Sequence, residues 1–386
     1  MKKIAQIAVL VETSRGHGRQ IIEGVARYAA EHGAWSLRLE PRNIDDTPPS
    51  WLKTWAGEGI IVRCDSTRMA KAVIATGLPT IDVRGGAPKA SLPLVGVDNE
   101  RIIDAAITHF QERGFRYFGW CDLFGDKYSW MSVRRNRFLN RISEAGMSCS
   151  LFPFPKKASQ NTGWSQREMT ELTSWLTALP RPVAILACDD EHAHFVLDAA
   201  RRLGLRIPEE AAVLGIDNDD LYCRVSSPPL SSVDVNAVAV GYQAAEALEQ
   251  LMRGKTVPAR TLIAPRGIVT RQSTDVTAVE DSDAATALRY IRDNARKAIT
   301  AEDVANYLAV SRSTLDRSLR ATVGRSATVA IMQARLAIVK ADLTETDLTL
   351  SQIADRCNFR SVQHLANLFR ERVGMTAGNY RKEMRH

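Results

Sequence analysis

The sequence predicts two structural classes in one chain: an α/β region of parallel sheets flanked by helices over residues 1–270, and an all-α domain with two helix-turn-helix units over 284–386. Three observations predict this. Short β-branched runs alternate with helix-length segments up to about Arg271, the pattern of parallel sheets covered by helices. The strand signal then stops, and the helical remainder repeats itself at a spacing of about 50 residues. A chain of 386 residues also exceeds one ordinary core and fits two to three domains.

The first apolar run, "IAQIAVLV" (4–11), reads as a buried strand, because it is too short and too soon broken by Glu12 to be a secretory leader. Further strands are expected at 35–40, 59–63, 79–84, 94–98, 117–121, 183–188, 211–217 and 261–265. Helices are expected at 18–33, 100–114, 134–146, 191–204 and 236–254, several of them ending on a glycine suited to a C-cap. The polar, acidic stretch "RQSTDVTAVEDSD" (271–283) reads as a linker.

Composition excludes several classes. Hydrophobic residues make up 45% and charged residues 25%, as in a soluble globular protein. No segment approaches the ~18 apolar residues of a membrane span, so no membrane partner is expected. The six cysteines (Cys64, Cys121, Cys149, Cys188, Cys223, Cys357) form no C-x-x-C pair, which argues against a zinc site and a disulfide scaffold. Together these point to a cytoplasmic protein with reduced thiols. The net charge is +7, and residues 281–386 hold 17 Lys and Arg against 12 Asp and Glu, so most of the excess lies in the helical quarter. A basic domain suits a polyanionic partner.

Within that quarter, "AEDVANYLAVSRSTLDRSLRATVG" (301–324) aligns with "LSQIADRCNFRSVQHLANLFRERVG" (350–374), the second copy being one residue longer in the turn. Ala305 matches Ala354, Val310 matches Phe359, Leu315 matches Leu365, and Gly324 matches Gly374. A short helix with an inward alanine, a tight turn and a second one-sided helix is helix-turn-helix geometry. The outward positions offer Ser311, Arg312, Ser313, Thr314 and Arg317 in the first copy, and Arg360, Ser361, Gln363, His364 and Asn367 in the second. Arginine can bond guanine bidentately, Gln and Asn can bond adenine, and hydroxyls suit phosphates, so double-stranded DNA is the expected partner. One such hairpin alone would read as readily as a solvated surface; two in tandem on a basic domain do not.

In the α/β region, ligands are expected in loops that directly follow strands. Asp190 follows "VAILAC", and Asp217 and Asn218 follow "AAVLGI"; such carboxylates and amides pair with vicinal hydroxyls of a sugar. The loop "ETSRGHGRQ" (12–20), with Arg15, follows the first strand and should close the cleft from the other lobe, while Trp130 or Tyr128 offers a stacking face. An Asp past a strand serves as a helix N-cap just as well. The segment "LACDDEHAHF" (186–195) crowds five ionisable groups and suggests a metal-dependent or carbohydrate-active enzyme as the alternative. Against that, His192 and His194 on one helix point about 200° apart, and no H-E-x-x-H or nucleophile elbow is present. Asp189 reads as a cap for Asp190, and Glu191, His192 and His194 as first-turn and surface or interface residues. The "RGHGRQ" loop lacks the G-K-[ST] and G-x-G-x-x-G patterns of nucleotide sites. No catalytic residue, cofactor or metal is expected.

Residues 284–386 resemble the AraC-type DNA-binding domain, in which a long helix, here about Thr328 to Leu343, joins two helix-turn-helix units. The stretch "LSQIADRCNFRSVQHLANLFRERVGMTAGNYR" follows that family's signature, except that Asn358, Leu365 and Ala377 replace its usual Gly, Phe and Pro. The first 270 residues resemble the periplasmic-binding-protein-like, two-lobed sugar sensors of LacI/GalR-type repressors, most closely through "VAILACDDEHAHFVLDAARRLGLRIPEEAAVLGIDN" (183–218). That resemblance implies a sugar-contacting role for Arg134 in "SVRRNRF". Sensor first and AraC-type reader second is the order of XylR-type activators. It implies D-xylose or a close pentose as effector, an operator, a homodimer, contact with RNA polymerase, and lobe closure that repositions the DNA-binding domains. A transport protein would leave the C-terminal repeat unused.

Overall fold

The computed structural model describes residues 4–33, 35–85, 92–122, 128–153, 165–275, 282–323 and 325–384. The chain forms two units, 1–276 and 277–386. In the first, the chain runs β1 (Ala5–Leu10), α1 (Gly16–His32), β2 (Trp35–Leu39), β3 (Gly59–Val62), α2 (Thr67–Ile74), β4 (Thr80–Asp82) and β5 (Leu94–Val97). It continues through α3 (Asn99–Gln111), β6 (Tyr117–Cys121), α4 (Ser129–Glu144), β7 (Ser148–Leu151), α5 (Gln166–Ala178), β8 (Val183–Ala187), α6 (Asp190–Arg202), β9 (Ala211–Ile216) and α7 (Asp220–Val225). It ends with β10 (Ser231–Asp234), α8 (Ala237–Met252), β11 (Arg260–Ile263) and β12 (Gly267–Val269).

Two six-stranded sheets result, ordered β11-β5-β4-β3-β1-β2 and β12-β10-β9-β8-β6-β7. The first is wholly parallel, and in the second only β12 runs antiparallel, against β10. Each sheet is the centre of one lobe. Central strands are apolar on both faces, as parallel sheets covered by helices require: β3, β8 and β9 are buried throughout. The chain crosses between lobes three times, after β5, after β10 and between β11 and β12. All nine expected strands form; β7, β10 and β12 were not among them, each being three or four residues long.

The expected linker at 271–283 is shorter than the sequence suggests. Ser273 and Thr274 are fully buried in the first unit, and helix α9 (Ser282–Asn294) begins at the other end. Residues 276–281, the middle of that stretch, lie outside the described residues.

The second unit is helical: after α9 come α10 (Ala301–Tyr307), α11 (Arg312–Val323), α12 (Ala327–Glu345), α13 (Leu350–Arg356), α14 (Val362–Val373) and α15 (Ala377–Met384). The sequence repeat becomes a structural one. Both α10 and α13 start with reciprocal capping boxes, Thr300 with Asp303 and Thr349 with Gln352. Ala305 and Ala354 are buried, and the turns pass through left-handed residues Ala309 (φ 54°) and Asn358 (φ 56°). Asparagine tolerates that region where glycine would be usual, so the departure at Asn358 leaves the turn intact. Gly324, the partner of Gly374 in the repeat, lies outside the described residues. The long helix α12 fastens both halves. Its Arg335 donates to the carbonyls of Ala295, Lys297 and Ile299, and its buried Asp342 takes Arg296 through two bonds of 3.1 and 3.2 Å and Arg356 at 3.9 Å.

In the first lobe, α1 and α8 touch backbone to backbone. A Cβ on Gly241 would lie 1.9 Å from the Ile21 carbonyl oxygen. Alanine in a helix gains about 1 kcal/mol over glycine. Forcing the two helices apart costs about 1–3 kcal/mol and should exceed that gain. Gly241→Ala is therefore expected to lower stability by on the order of 1 kcal/mol, read as a reduced urea midpoint; an unchanged or raised midpoint contradicts the packing.

Candidate functional site

The carboxyl ends of both sheets face one cleft. From the first lobe, Glu12, Arg15 and His17 follow β1, Arg63 and Asp65 follow β3, and Arg84 follows β4. From the second, α4 contributes Trp130 and Arg134, the end of β8 contributes Asp189, Asp190 and Glu191, and the end of β9 contributes Asp217, Asn218 and Asp219. Arg15, His17, Asp189, Asp190, Asp217, Asp219 and Tyr222 line one pocket.

Bonds between the lobes draw the cleft together. Arg15 reaches Asp189 at 2.7 Å and Glu191 at 3.2 Å. The Gly16 amide donates to Asp219 Oδ2 at 2.9 Å, and a Cβ at Gly16 would lie only 2.4 Å from that oxygen, so glycine is needed there. Tyr128 donates to Asp45 across the cleft at 2.8 Å.

Inside, the charges are buried. Arg63 is held between Glu12 and Asp65. Burial, then Arg84, Arg63 and Arg134, pushes the His17 imidazole well below its usual pKa, so it is neutral. Burial draws Arg84 down to about 9 and lowers Arg134. It also raises Asp217 to about 6, against the pull of Arg134. Five buried polar atoms converge without a hydrogen-bond partner: His17 Nδ1, Arg84 Nε, Trp130 Nε1, Arg134 Nη2 and Asp217 Oδ1. His17 Nδ1 stands 3.5 Å and Arg134 Nη2 3.9 Å from Asp217 Oδ1, too far for good bonds. Unpaired buried polar atoms cost roughly 1–3 kcal/mol each, and together this set offers both donors and acceptors to the cleft.

The residues expected from sequence divide in their roles. Arg134 is buried, donates to Asn99 Oδ1 and the Cys188 carbonyl, and turns its remaining nitrogen toward Asp217. Asp217 stands in the cleft with φ 106°, followed by Asn218 at φ 51°. Two successive non-glycine residues in that region cost on the order of 1–3 kcal/mol each and mark a functional loop. Asn218 turns its side-chain oxygen to Arg271 at 3.0 Å. Asp190 lines the pocket, but its oxygens are taken by the Asp219 amide at 2.6 Å and the Ser232 hydroxyl at 2.5 Å. Burial and neighbouring Asp217 push its pKa well above the usual carboxylate range, against the pull of those two bonds. Arg15 spends its guanidinium on Asp189 and Glu191. Trp130, expected to present a stacking face, carries the Arg84 guanidinium 3.8 Å above its ring and lies near-parallel to Tyr128. Its indole N–H, not its face, is the group left over.

The crowded segment 186–195 resolves into a helix start. Asp189 is the N-cap of α6, accepting from the His192 amide at 2.9 Å. Its ring contact with His192 is 2.6 Å. His192, expected at the surface, is instead buried, because capping draws its ring inward. Cys188, Asp189 and His192 place three potential metal-ligand atoms within 4.8 Å. Burial keeps the Cys188 thiol protonated, and Arg15 already occupies Asp189, so this is an ion-paired cap and a poor cation site.

Arg63, Asp65, Arg84 and Asp219 are absent from the sequence reading, and His17 entered it only as part of the loop 12–20. All but Asp219 belong to the first lobe and follow strand ends as Asp217 does, so the same rule could find them. Polar residues follow most strands, however, and only the fold shows which ones face each other.

In the second unit, Ser311, Arg312, Ser313 and Arg317 are exposed on α11 and its start, with Thr314 half-buried; Arg360, Ser361, Gln363, His364 and Asn367 are exposed at α14. Ser311 and Ser361 accept from the Thr314 and His364 amides at 3.1 Å each, so they cap their helices first. The extra residue of the second copy is Arg360, which stands in the turn ahead of α14. Leu315 and Leu319, and correspondingly Leu365 and Phe369, are buried, leaving the opposite faces outward. No helix among the described residues is long and apolar enough to cross a membrane.

A carboxyl group with a raised pKa contributes stability that is present below its ordinary value of 3.8 and lost as pH rises through about 6. Asp217→Asn should remove that loss, on the order of 2 kcal/mol between pH 4 and 7. Urea unfolding of both proteins across this range checks it; parallel curves contradict the assignment.

Comparison with known proteins agrees with this arrangement. The XylR N-terminal domain family matches residues 6–99, the periplasmic binding protein-like domain family residues 107–274, and a helix-turn-helix domain family residues 304–383. The xylose operon regulatory protein of Escherichia coli (strain K12) is 29% identical over 97% of this chain and 96% of its own length. That of Haemophilus influenzae is 29% identical over 97% and 98%. The structure of the xylose-binding transcription activator XylR covers 100% of both chains at 26% identity with a TM-score of 0.73. These relatives are transcription regulators, not enzymes. With a sugar-sensor-like first unit and a helix-turn-helix second unit, the chain is similar over nearly its whole length to XylR-type DNA-binding transcription regulators.

Proposed function

We propose that this regulator is an activator of pentose catabolic genes that responds to D-xylose or a close pentose bound between the lobes of its first unit. The observation that carries the reading is the convergence of five unpartnered buried polar atoms on the cleft. A sugar hydroxyl donates to Asp217 Oδ1 while accepting from Arg134, Arg84 or the Trp130 N–H, satisfying atoms that the protein leaves unpaired. Asp217, Arg134 and Trp130 are the direct contacts in this reading. Asp190, Asn218 and Arg15 shape the loops that present them. Xylose and activation come from the names of the full-length relatives.

Sugar favours the closed lobes, and in a homodimer this moves the paired DNA-binding units on their half-sites so that they reach RNA polymerase. The exposed faces of α11 and α14 enter successive major grooves of the operator, Arg312 and Arg360 reading base edges and Ser311 and Ser361 meeting phosphates.

Calorimetry with D-xylose, L-arabinose, D-ribose and D-glucose tests the effector. Binding of D-xylose is expected, and Asp217→Ala should weaken it about tenfold to a hundredfold, the worth of a charged hydrogen bond. Heat from no pentose overturns the assignment.

Operator affinity should fall steeply with salt. Arg312→Ala or Arg360→Ala should cost about 1–3 kcal/mol and relax preference at one base position. Equal weakening on every sequence in a binding-site selection would make them phosphate contacts.

A further inference from the structure

Asn218 stands where three parts of the first unit meet. Its amide donates to Ser232 Oγ on β10 at 2.9 Å, and its carbonyl accepts from Gln20 on α1, in the opposite lobe, at 3.4 Å. Its side-chain oxygen accepts from Arg271 Nη2 at 3.0 Å. Arg271 also donates from Nη1 to the Leu230 carbonyl at 2.9 Å, and its backbone amide donates to the Ser231 hydroxyl at 2.8 Å. One guanidinium thus grips the cleft loop and the start of β10 together.

Arg271 also opens the segment through which the chain leaves this unit. The Ser273 hydroxyl donates to the Val213 carbonyl on β9 at 2.6 Å and accepts from the Ser231 amide at 2.8 Å. The Thr274 hydroxyl meets His109 Nε2 on α3 at 2.9 Å, and its carbonyl accepts from Arg113 at 2.9 Å. The unit ends at Val276. Residues 271–275 therefore form a strap tied to β9, β10 and α3, and its first side chain reaches back to the residue beside Asp217.

We infer that Arg271 is a positioning residue that transmits the ligand state of the cleft to the chain leading into the DNA-binding unit. The inference rests on the reading of the cleft as a sugar site. Asp217 and Asn218 share one left-handed turn, so a shift of the Asp217 carboxylate toward a ligand turns the Asn218 peptide with it. Closure brings α1 and its Gln20 onto the same peptide. Asn218 then carries its side-chain oxygen with it, and the two-pronged grip of Arg271 passes the movement to the strap. Coupling needs such an element, held at one end by the ligand loop and at the other by the exit segment.

Arg271→Gln removes the two-pronged grip without touching the pocket. The expected result is xylose affinity within about threefold of the unmodified protein, while the sugar-induced change in operator affinity, on the order of tenfold in a coupled regulator, shrinks to about twofold or less. Asn218→Gly keeps the left-handed backbone, deletes the acceptor, and should lose the same response. Arg271→Lys, with one prong, should restore part of it. An Arg271→Gln protein whose operator binding responds to xylose as the unmodified protein does overturns the inference. So does one whose xylose affinity falls in step with its response, since that would be a structural defect. If Arg271→Gln does not fold, Arg271→Lys decides by the same comparison. Calorimetry on the unmodified chain separates the two readings: no pentose binding there removes the sugar site itself, whereas binding with an intact Arg271→Gln response removes only the strap.

Discussion

The cleft depends on the Asp190 carboxyl group. Fully buried, it accepts from the Asp219 amide and the Ser232 hydroxyl, tying the end of β8 to the loop after β9 and to β10. That tie holds Asp217 and Asn218 in a backbone conformation that neither would choose alone. It also sets Asp219 where the Gly16 amide of the other lobe can reach it. Remove it, and the strained loop, the ligand carboxylate and the interlobe contact all lose their common anchor.

Around that anchor, charge is distributed so that structural groups are satisfied and ligand-facing groups are not. Asp189 accepts from His192 and Arg15, and these outweigh burial to hold it below the usual carboxylate range. Two residues before Asp219, the far end of the Asp190 tie, nothing comparable satisfies Asp217, whose Oδ1 faces His17 and Arg134 beyond bonding range. Neighbouring carboxylates of the same type thus serve as cap or tie, or are left open to the cleft, according to how many of their bonds the protein itself supplies.

Much of the fold was legible because its signals are local. β-Branched runs marked the central strands, and the tandem repeat foretold two helix-turn-helix units in which Ala305 and Ala354, and Leu315 and Leu365, are buried. Short edge strands such as β12 carry too few residues for a pattern. The candidate site was legible only in part. Strand ends pointed to Asp190, Asp217 and Asn218, but which oxygen is spent on the backbone depends on contacts between residues 29 or more positions apart. The inward turn of His192 and the guanidinium lying over Trp130 are likewise tertiary facts. The linker was overestimated because Ser273 and Thr274, polar in sequence, bury their hydroxyls in bonds to distant groups.

The clamp of Asp342 on Arg296 and Arg356 bears on the nucleic acid as much as on the protein. One carboxylate on α12 ties the segment before α10 and the end of α13 to a single helix, so both helix-turn-helix units share one anchor. When the reader is stiff, the duplex must supply the compliance. Base pairs lying between the two contacted segments, which no side chain touches, then enter the selection through the energy needed to deform them.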